Sequence, residues 1–269
     1  MKNPTLASIL CLTLLVVCLA FSARTYAQTA AAQAGRTPVL VELFTAEGCS
    51  SCPPADLLLQ KLEEQQPVAG AEIIPLEEHV DYWNQGGWID PYSSLEWTER
   101  QQAYVTLLNK DPYTPEIVVD GQSQFVGNNP LRATMEIEKA AHDVKTDVKI
   151  ASANADAKGR RQFTVSVGKL AGNSAHDVAE VWLAVTEDGL HSSVSRGENA
   201  GHVLHHVATL RSLHKIGVAD PNQTPVSFTA DPLVKLNSHW DLANVHVTVF
   251  VQEKKSRKIL GAASTKVQS

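Results

Sequence analysis

The sequence predicts an α/β protein, with a central mixed sheet flanked by helices in its N-terminal part and a C-terminal antiparallel β-rich, sandwich-like domain. Three observations predict this. The apolar run VLVELF at 39–44 leads directly into a helical pattern, as expected for a strand buried on both faces. Further strand and helix signals alternate up to about residue 144. Beyond that point apolar residues recur with a period of two, which is typical of short antiparallel strands.

The first 27 residues have the order of a secretory signal peptide. Lys2 precedes an apolar run at 9–21, and small residues precede a cleavage expected after Ala27. The apolar run is short for a membrane span, and the alternative is an uncleaved anchor. The Ala/Gln-rich stretch 28–36 is then a flexible tail. Export predicts a periplasmic or secreted location.

Each N-terminal element has its own signal. The helix after the first strand should begin between Ser50 and Pro53, because proline is tolerated only in the first helical turn. Ser93 and Glu96 form a capping box that predicts a helix over 94–109. The remaining signals are a strand at 71–79, a strand at 116–120, an Asp120-Gly121 hairpin turn, a return strand at 123–126 and a last helix capped by Asn129-Pro130.

The C-terminal part shows strand signals. One face of each strand is marked by Val148/Ile150, Phe163/Val165/Val167, Val181/Leu183/Val185 and Val245/Val247/Val249/Val251, and a turn at 253–257 precedes a last strand. A mature chain of roughly 240 residues exceeds the usual size of one domain, so we expect two. Their predicted ranges are 37–144 and 145–269.

Cys49 and Cys52 form a C-x-x-C pair at the predicted junction of the first strand and helix. A helix N-terminus stabilises a thiolate, so Cys49 is expected to attack and Cys52, one turn on, to resolve the mixed disulfide. Two alternatives stay open. In the first, the pair is a structural disulfide. In the second, His79 joins the two sulfurs in a copper-type site. A zinc site would need a fourth ligand, and no second Cys pair exists.

Several motifs together resemble a known family. VELFTAEGCSSCPPAD at 41–56, HVDYWNQGGWIDPY at 79–92, YTPEIVVDG at 113–121 and RGENAG at 196–201 are similar to the secreted bacterial domain-of-unknown-function family 1223. The order βαβαββα with its C-x-x-C resembles the thioredoxin-like superfamily. This resemblance implies a thioredoxin-like domain over 37–144, a cis Pro115 opposite Cys49, and a Thr114 backbone that docks a substrate chain.

The chain also departs from thioredoxins. Gly48 stands where they carry tryptophan, and Leu43 stands where they carry a buried acid, with Glu42 expected on the other face of the strand. Proton relay to the resolving thiol therefore falls to Glu47, to Asp81 or to water. His79, Asp81, Tyr82 and Trp83 are expected to line a substrate groove; the alternative is that the aromatic side chains only cover the core.

A second group of histidines follows in the C-terminal part. His202, His205 and His206 lie close together, but alternation along a strand places His205 on the opposite face from the other two. We therefore expect surface histidines on an edge strand rather than a metal site. RGENAG at 196–201 is expected to be a turn packed between domains.

The function hypothesis is an exported thiol–disulfide oxidoreductase that acts on protein or small-molecule thiols and disulfides. The alternative is a non-catalytic binding module with a structural disulfide or a copper-type site, so the sequence leaves open whether the chain is an enzyme. The formal net charge of −6 argues against nucleic-acid and anionic-membrane partners. We expect no cofactor, no dedicated metal site and no membrane span after signal cleavage.

Overall fold

The computed structural model describes residues 35–108, 111–152, 160–172, 177–219, 226–229, 234, 236–237 and 239–267. The predicted signal peptide, 1–27, and the predicted tail up to residue 34 lie outside the described residues. From Thr37 onward the chain forms one compact unit. None of the helices in the described part is long and apolar enough to cross a membrane.

The N-terminal elements occur in the predicted order. They are β1 (Thr37–Thr45), α1 (Pro53–Gln65), β2 (Ala71–His79), α2 (Leu95–Leu108), β3 (Glu116–Val119), β4 (Ser123–Val126) and α3 (Pro130–Ala141). Helix α1 begins at the first of its two prolines, within the predicted interval. Asn129 caps α3 by accepting the backbone N–H of Arg132 at 3.0 Å.

One capping prediction is wrong in detail. The hydroxyl that accepts from the first turn of α2 belongs to Ser94, which bonds the N–H of Glu96 at 3.1 Å. The hydroxyl of Ser93 instead donates to the carbonyl oxygen of Asp90 at 2.8 Å. The Ser93 side chain is therefore hydrogen-bonded within the loop that precedes α2, and the helix begins one residue later than the predicted start.

The described C-terminal elements are strands, apart from a 3-10 helix at Leu242–Asn244. The strands are β5 (Val148–Ser152), β6 (Phe163–Val167), β7 (Ala179–Glu187), β8 (Leu190–Ser193), β9 (Val203–His206), β10 (Thr209–Ala219), β11 (Val226–Thr229), β12 (Val245–Glu253) and β13 (Ile259–Lys266). An eight-stranded mixed sheet has the order β13-β12-β7-β10-β2-β1-β3-β4. Two smaller sheets have the orders β11-β6-β5 and β8-β9.

Strands from both predicted domains share the eight-stranded sheet. β10 runs parallel to β2, with Thr209 opposite Glu77. The predicted boundary at 144/145 therefore falls inside one compact unit. Alternation identifies which face of a strand is buried, but not which strand is its neighbour, so this continuity has no sequence signal.

A small sheet packs against the large mixed sheet in the C-terminal part. Val165 of β6, in a small sheet, shares one apolar core with Val181 of β7 and Val249 of β12, in the large sheet. All three side chains are fully buried. The faces that alternation marked as apolar are thus the faces that the two sheets pack together.

Asp120 ties the two predicted halves together. Its carboxylate accepts the N–H of Leu40 in β1 at 2.9 Å and pairs with Lys145 Nζ at 2.5 Å. Its carbonyl oxygen accepts the N–H of Ile259 in β13 at 3.0 Å. The predicted hairpin turn is confirmed, since Asp120 and Gly121 both have positive φ, 48° and 68°. The β3–β4 turn is therefore also a junction with the C-terminal strands.

β1 is buried on both faces, as its apolar run predicts. Leu43 packs with α1 and α3, whereas Phe44 faces the opposite side and contacts the ring of Tyr104 in α2. Glu42 pairs with Arg100 of α2. The Cys pair lies between the end of β1, near the centre of the sheet, and the start of α1.

Candidate functional site

Cys49 and Cys52 are joined by a disulfide at the start of α1, with their Cα atoms 5.4 Å apart. Both residues are fully buried, at 0% exposure. They share a small core with Phe44 and Tyr104, and Trp83 packs against it. The predicted junction of strand and helix is confirmed, and the sulfurs lie beneath the surface at that junction.

The helix end offers the sulfurs fewer donors than the sequence argument assumed. Pro53 and Pro54 occupy the first turn and have no N–H. The next two N–H groups, of Ala55 and Asp56, both donate to the carbonyl oxygen of Cys52, at 2.7 and 3.1 Å. The first-turn N–H groups are therefore absent or already bonded, so a Cys49 thiolate gains less stabilisation from this helix than from a typical one.

A loop from the C-terminal part covers the disulfide. This cover loop, residues 194–202, contains the RGENAG motif. The buried side chain of Asn199 donates to the carbonyl oxygens of Glu47 and Cys49, at 2.8 and 3.0 Å. The RGENAG motif, expected to be a packed turn, therefore packs on the backbone around Cys49.

A second contact of the cover loop is exposed to solvent. Glu198 accepts the backbone N–H of Ser50 at 3.0 Å. Hydrogen bonds with Ser50 hold the pKa of Glu198 below its usual value. Both contacts join main chain of the Cys loop to side chains of the cover loop, so the cover is held by polar bonds that water can replace.

One predicted docking residue, Thr114, contacts a side chain that packs against the disulfide core. The Thr114–Pro115 peptide bond is cis, as the resemblance implies. The indole N–H of Trp83 donates to Thr114 Oγ1 at 2.7 Å. A Cβ on Gly48 would lie 3.3 Å from Trp83 Cβ, so this glycine makes room for the tryptophan rather than for an approaching partner.

Two other predicted groove residues bond helix α2. The Tyr82 hydroxyl donates to Gln101 Oε1 at 3.2 Å, and its ring packs against the disulfide core. Asp81 accepts the Thr98 hydroxyl at 2.6 Å. Asp81 therefore fastens the chain that follows β2 to α2.

A buried group of carboxylates and imidazoles lies next to the Cys loop. Glu77 Oε1 is 3.0 Å from His206 Nδ1 and 3.7 Å from His79 Nε2. In each ring, the inner nitrogen faces Glu77 and the outer nitrogen faces a second carboxylate. The outer nitrogen of His206, Nε2, is 3.1 Å from Glu47 Oε1, and that of His79, Nδ1, is 2.7 Å from Asp90 Oδ2. Two of the predicted site residues, Glu47 and His79, thus belong to one charged cluster.

Burial and charge shift several pKa values here. Burial opposes the charged form of His206, but Glu77 and Glu47 raise its pKa to about 11. Burial also raises the pKa of Asp56 to about 7, and the charge of Glu77 acts in the same direction. Asp56 therefore titrates near neutral pH one helical turn after Cys52.

Sequence reasoning missed several members of this site, among them His206, Asp56, Glu77 and Asp90. His206 is 2% exposed, so the expectation of surface histidines is wrong for it, whereas His205 is exposed. The alternation of β9 places His206 on the same face as Leu204, and that shared face was the available signal. Asp56 follows Cys52 by four residues, a spacing that puts both on one helix face. Glu77 had no comparable signal.

Comparisons with known proteins place the chain in a sequence family. The family described as "Protein of unknown function (DUF1223)" matches residues 40–252. A crystal structure of an Agrobacterium tumefaciens protein is similar with a TM-score of 0.63 and 22% identity, covering 87% of this chain and 96% of that one. HBP35 of Porphyromonas gingivalis is similar with a TM-score of 0.58 and 15% identity, covering 86% and 76%. No curated protein sequence matches. The similarities to solved structures concern the fold alone.

Proposed function

Because the chain belongs to the DUF1223 family, whose description names no reaction, we propose a function from the site itself: the protein exchanges its Cys49–Cys52 disulfide with thiol partners after export. The observation that carries the proposal is a C-x-x-C disulfide at a helix N-terminus, with the buried carboxyl of Asp56, whose pKa is raised to about 7, one helical turn further on. The fold around the pair is proposed to be thioredoxin-like. The signal peptide expected at 1–27 supports a periplasmic or secreted location.

The exchange proceeds in two balanced steps. A partner thiolate attacks Cys49 Sγ, the Cys49–Cys52 bond breaks, and the electron pair leaves on the sulfur of Cys52, which takes up a proton. A second partner thiolate then attacks the partner's sulfur in the mixed disulfide and releases Cys49. Two partner thiols become a disulfide while the pair becomes two thiols, and the reverse reaction uses the same steps.

Asp56 is the group that we assign to proton transfer at Cys52. It is 6% exposed, and its carboxylate accepts the Thr45 hydroxyl at 2.6 Å. A carboxyl with a pKa of about 7 both donates and accepts protons at neutral pH. We prefer Asp56 to Glu47 and Asp81 because it follows Cys52 by one helical turn and has a pKa of about 7.

The cover loop sets access to the pair. Because both cysteines are fully buried, a partner reaches Cys49 only when the bonds of Glu198 and Asn199 to the Cys loop open. The partner's backbone then docks on Thr114 and Pro115, in the role that the resemblance implies for these residues. Partners are protein or small-molecule thiols and disulfides.

The burial of both sulfurs favours a second candidate. In that candidate the disulfide is structural, and the chain is a binding module without exchange activity. A disulfide that is never exposed does not react with thiols while the protein stays folded. The two candidates therefore differ in whether the folded protein forms a mixed disulfide.

A trapping experiment tests exchange. We expect the Cys52→Ser variant to form a mixed disulfide with oxidised glutathione about tenfold faster than the Cys49→Ser variant, because the polar cover opens over Cys49 while Cys52 is packed at the helix start. Mass spectrometry of the native variants follows the gain of one glutathione. Equal rates that match the rate of global unfolding would contradict the proposal and support the structural disulfide.

A further inference from the structure

Three buried side chains from two strands converge on one point. Glu77, His79 and His206 each offer a ligand atom, and these atoms lie within 4.8 Å of one another. Ligands held about 2.1 Å from a tetrahedral ion are about 3.4 Å apart, close to the spacings that Glu77 Oε1 makes with the two rings. We propose that these three residues bind a divalent transition-metal ion, with zinc the best match.

Each imidazole is oriented as a metal ligand would be. The Nδ1 of His79 bonds the carboxylate of Asp90, and the Nε2 of His206 bonds that of Glu47. On His79, the carboxylate holds the ring N–H at Nδ1 and leaves Nε2 to bind an ion. On His206, the ion replaces the Nδ1 proton that is hydrogen-bonded to Glu77 Oε1 at 3.0 Å. The same arrangement occurs twice around Glu77.

One inner nitrogen has no hydrogen-bond partner in the described part of the chain. His79 is 1% exposed, and its Nε2 makes no hydrogen bond there. A buried polar atom without a partner is costly, and native proteins rarely contain one without a ligand, water or ion nearby. The ligand atom of Glu77 that faces it is Oε1, at 3.7 Å.

Hydrogen bonds to one oxygen of Glu77 leave its other oxygen to coordinate an ion. Its Oε2 accepts the backbone N–H of Val207 at 3.1 Å and the hydroxyl of Thr209 at 3.2 Å. These bonds point Oε1 at the two imidazoles. The carboxylate therefore presents one fixed oxygen, as a ligand to a small ion requires.

A groove provides an access route for a cation. A cavity of about 750 Å³ between α1 and β9 has His206 and Asp56 in its wall. Its lining also contains the carboxylates of Glu63, Glu64 and Asp188. Carboxylates along a cleft raise the local concentration of cations.

The donor set indicates which ions fit. Two imidazoles and one carboxylate suit zinc with an open position, and also other divalent first-row metals. The two sulfurs are bonded to each other, so the copper-type site of His79 with Cys49 and Cys52 is not the one proposed. The ligands come from β2 and β9, which explains why no local spacing in the sequence predicts the site.

Titration of the metal-free mature protein with Zn²⁺ tests the proposal by calorimetry. We expect one Zn²⁺ per chain, and about 100-fold weaker binding in Glu77→Gln and in His79→Gln. The matched control is His205→Gln, because the exposed rings of His191 and His205 lie 6.0 Å apart and offer an adventitious surface site. The control should bind as the unchanged protein does.

Nuclear magnetic resonance of the unchanged protein covers the case in which a variant fails to fold. On Zn²⁺ addition, the ring nitrogen signals of His79 and His206 should shift while those of His205 stay in place. Absence of Zn²⁺ binding, or shifts confined to His191 and His205, would overturn the proposal. Loss of binding in His205→Gln but not in His79→Gln would overturn it as well.

Discussion

Replacing Arg100 with methionine is expected to lower the free energy of unfolding by about 3–5 kcal/mol. Arg100 Nε donates to Glu42 Oε1 at 2.6 Å and lies 3.4 Å from Glu78 Oε1. Tyr104 donates its hydroxyl to the other oxygen of Glu42 at 2.6 Å. Without the guanidinium, the carboxylate of Glu42 stays buried at 0% exposure without a cation.

Urea denaturation at neutral pH measures this effect. Arg132→Ala is the matched control, because Arg132 is half-exposed and pairs with Glu136 one helical turn away, at 2.7 Å. An exposed pair of this kind contributes less than about 1 kcal/mol. If Arg100→Met costs no more than the control, the buried network does not stabilise the contact between β1 and α2.

Replacing Asn199 with alanine is expected to speed reduction of the native disulfide by dithiothreitol about 10- to 30-fold. The side chain makes two hydrogen bonds to the Cys loop, at 2.8 and 3.0 Å. Each such bond contributes about 1 kcal/mol, so their loss raises the open fraction of the cover loop by that factor.

Arg196→Ala is the control for the cover loop, since Arg196 is an exposed residue of the same loop. Its rate should match that of the unchanged protein. Urea denaturation of both variants separates local opening from global unfolding. An unchanged rate in Asn199→Ala would mean that the cover loop does not control access to Cys49.

The sequence carries the local features of this fold well. Proline placement locates the start of α1, Asn129 locates the cap of α3, and Asp120-Gly121 locates the hairpin. Each of these signals acts within a few residues. The continuity of the sheet depends instead on β10 beside β2, and strand pairing over that distance has no local signature.

The candidate site likewise has parts with a local sequence signal and parts that depend on distant residues. The Cys pair follows from its position between a strand and a helix. The bond between Glu77 and His206 joins residues 129 positions apart, so no spacing rule predicts it. Asn199 reaches Cys49 across 150 positions, and its role is visible only when the cover loop is seen on the disulfide.

The reduction potential of the Cys49–Cys52 couple distinguishes an exchanging disulfide from a structural one. Thiol trapping of the mature protein across a dithiothreitol and glutathione series should give a reversible couple at about −200 to −270 mV. This is the reducing end of the range of exchange proteins, and we expect it because bonded or absent helix N–H groups leave the Cys49 thiolate weakly stabilised. A potential below about −300 mV would contradict the exchange function and identify a structural disulfide.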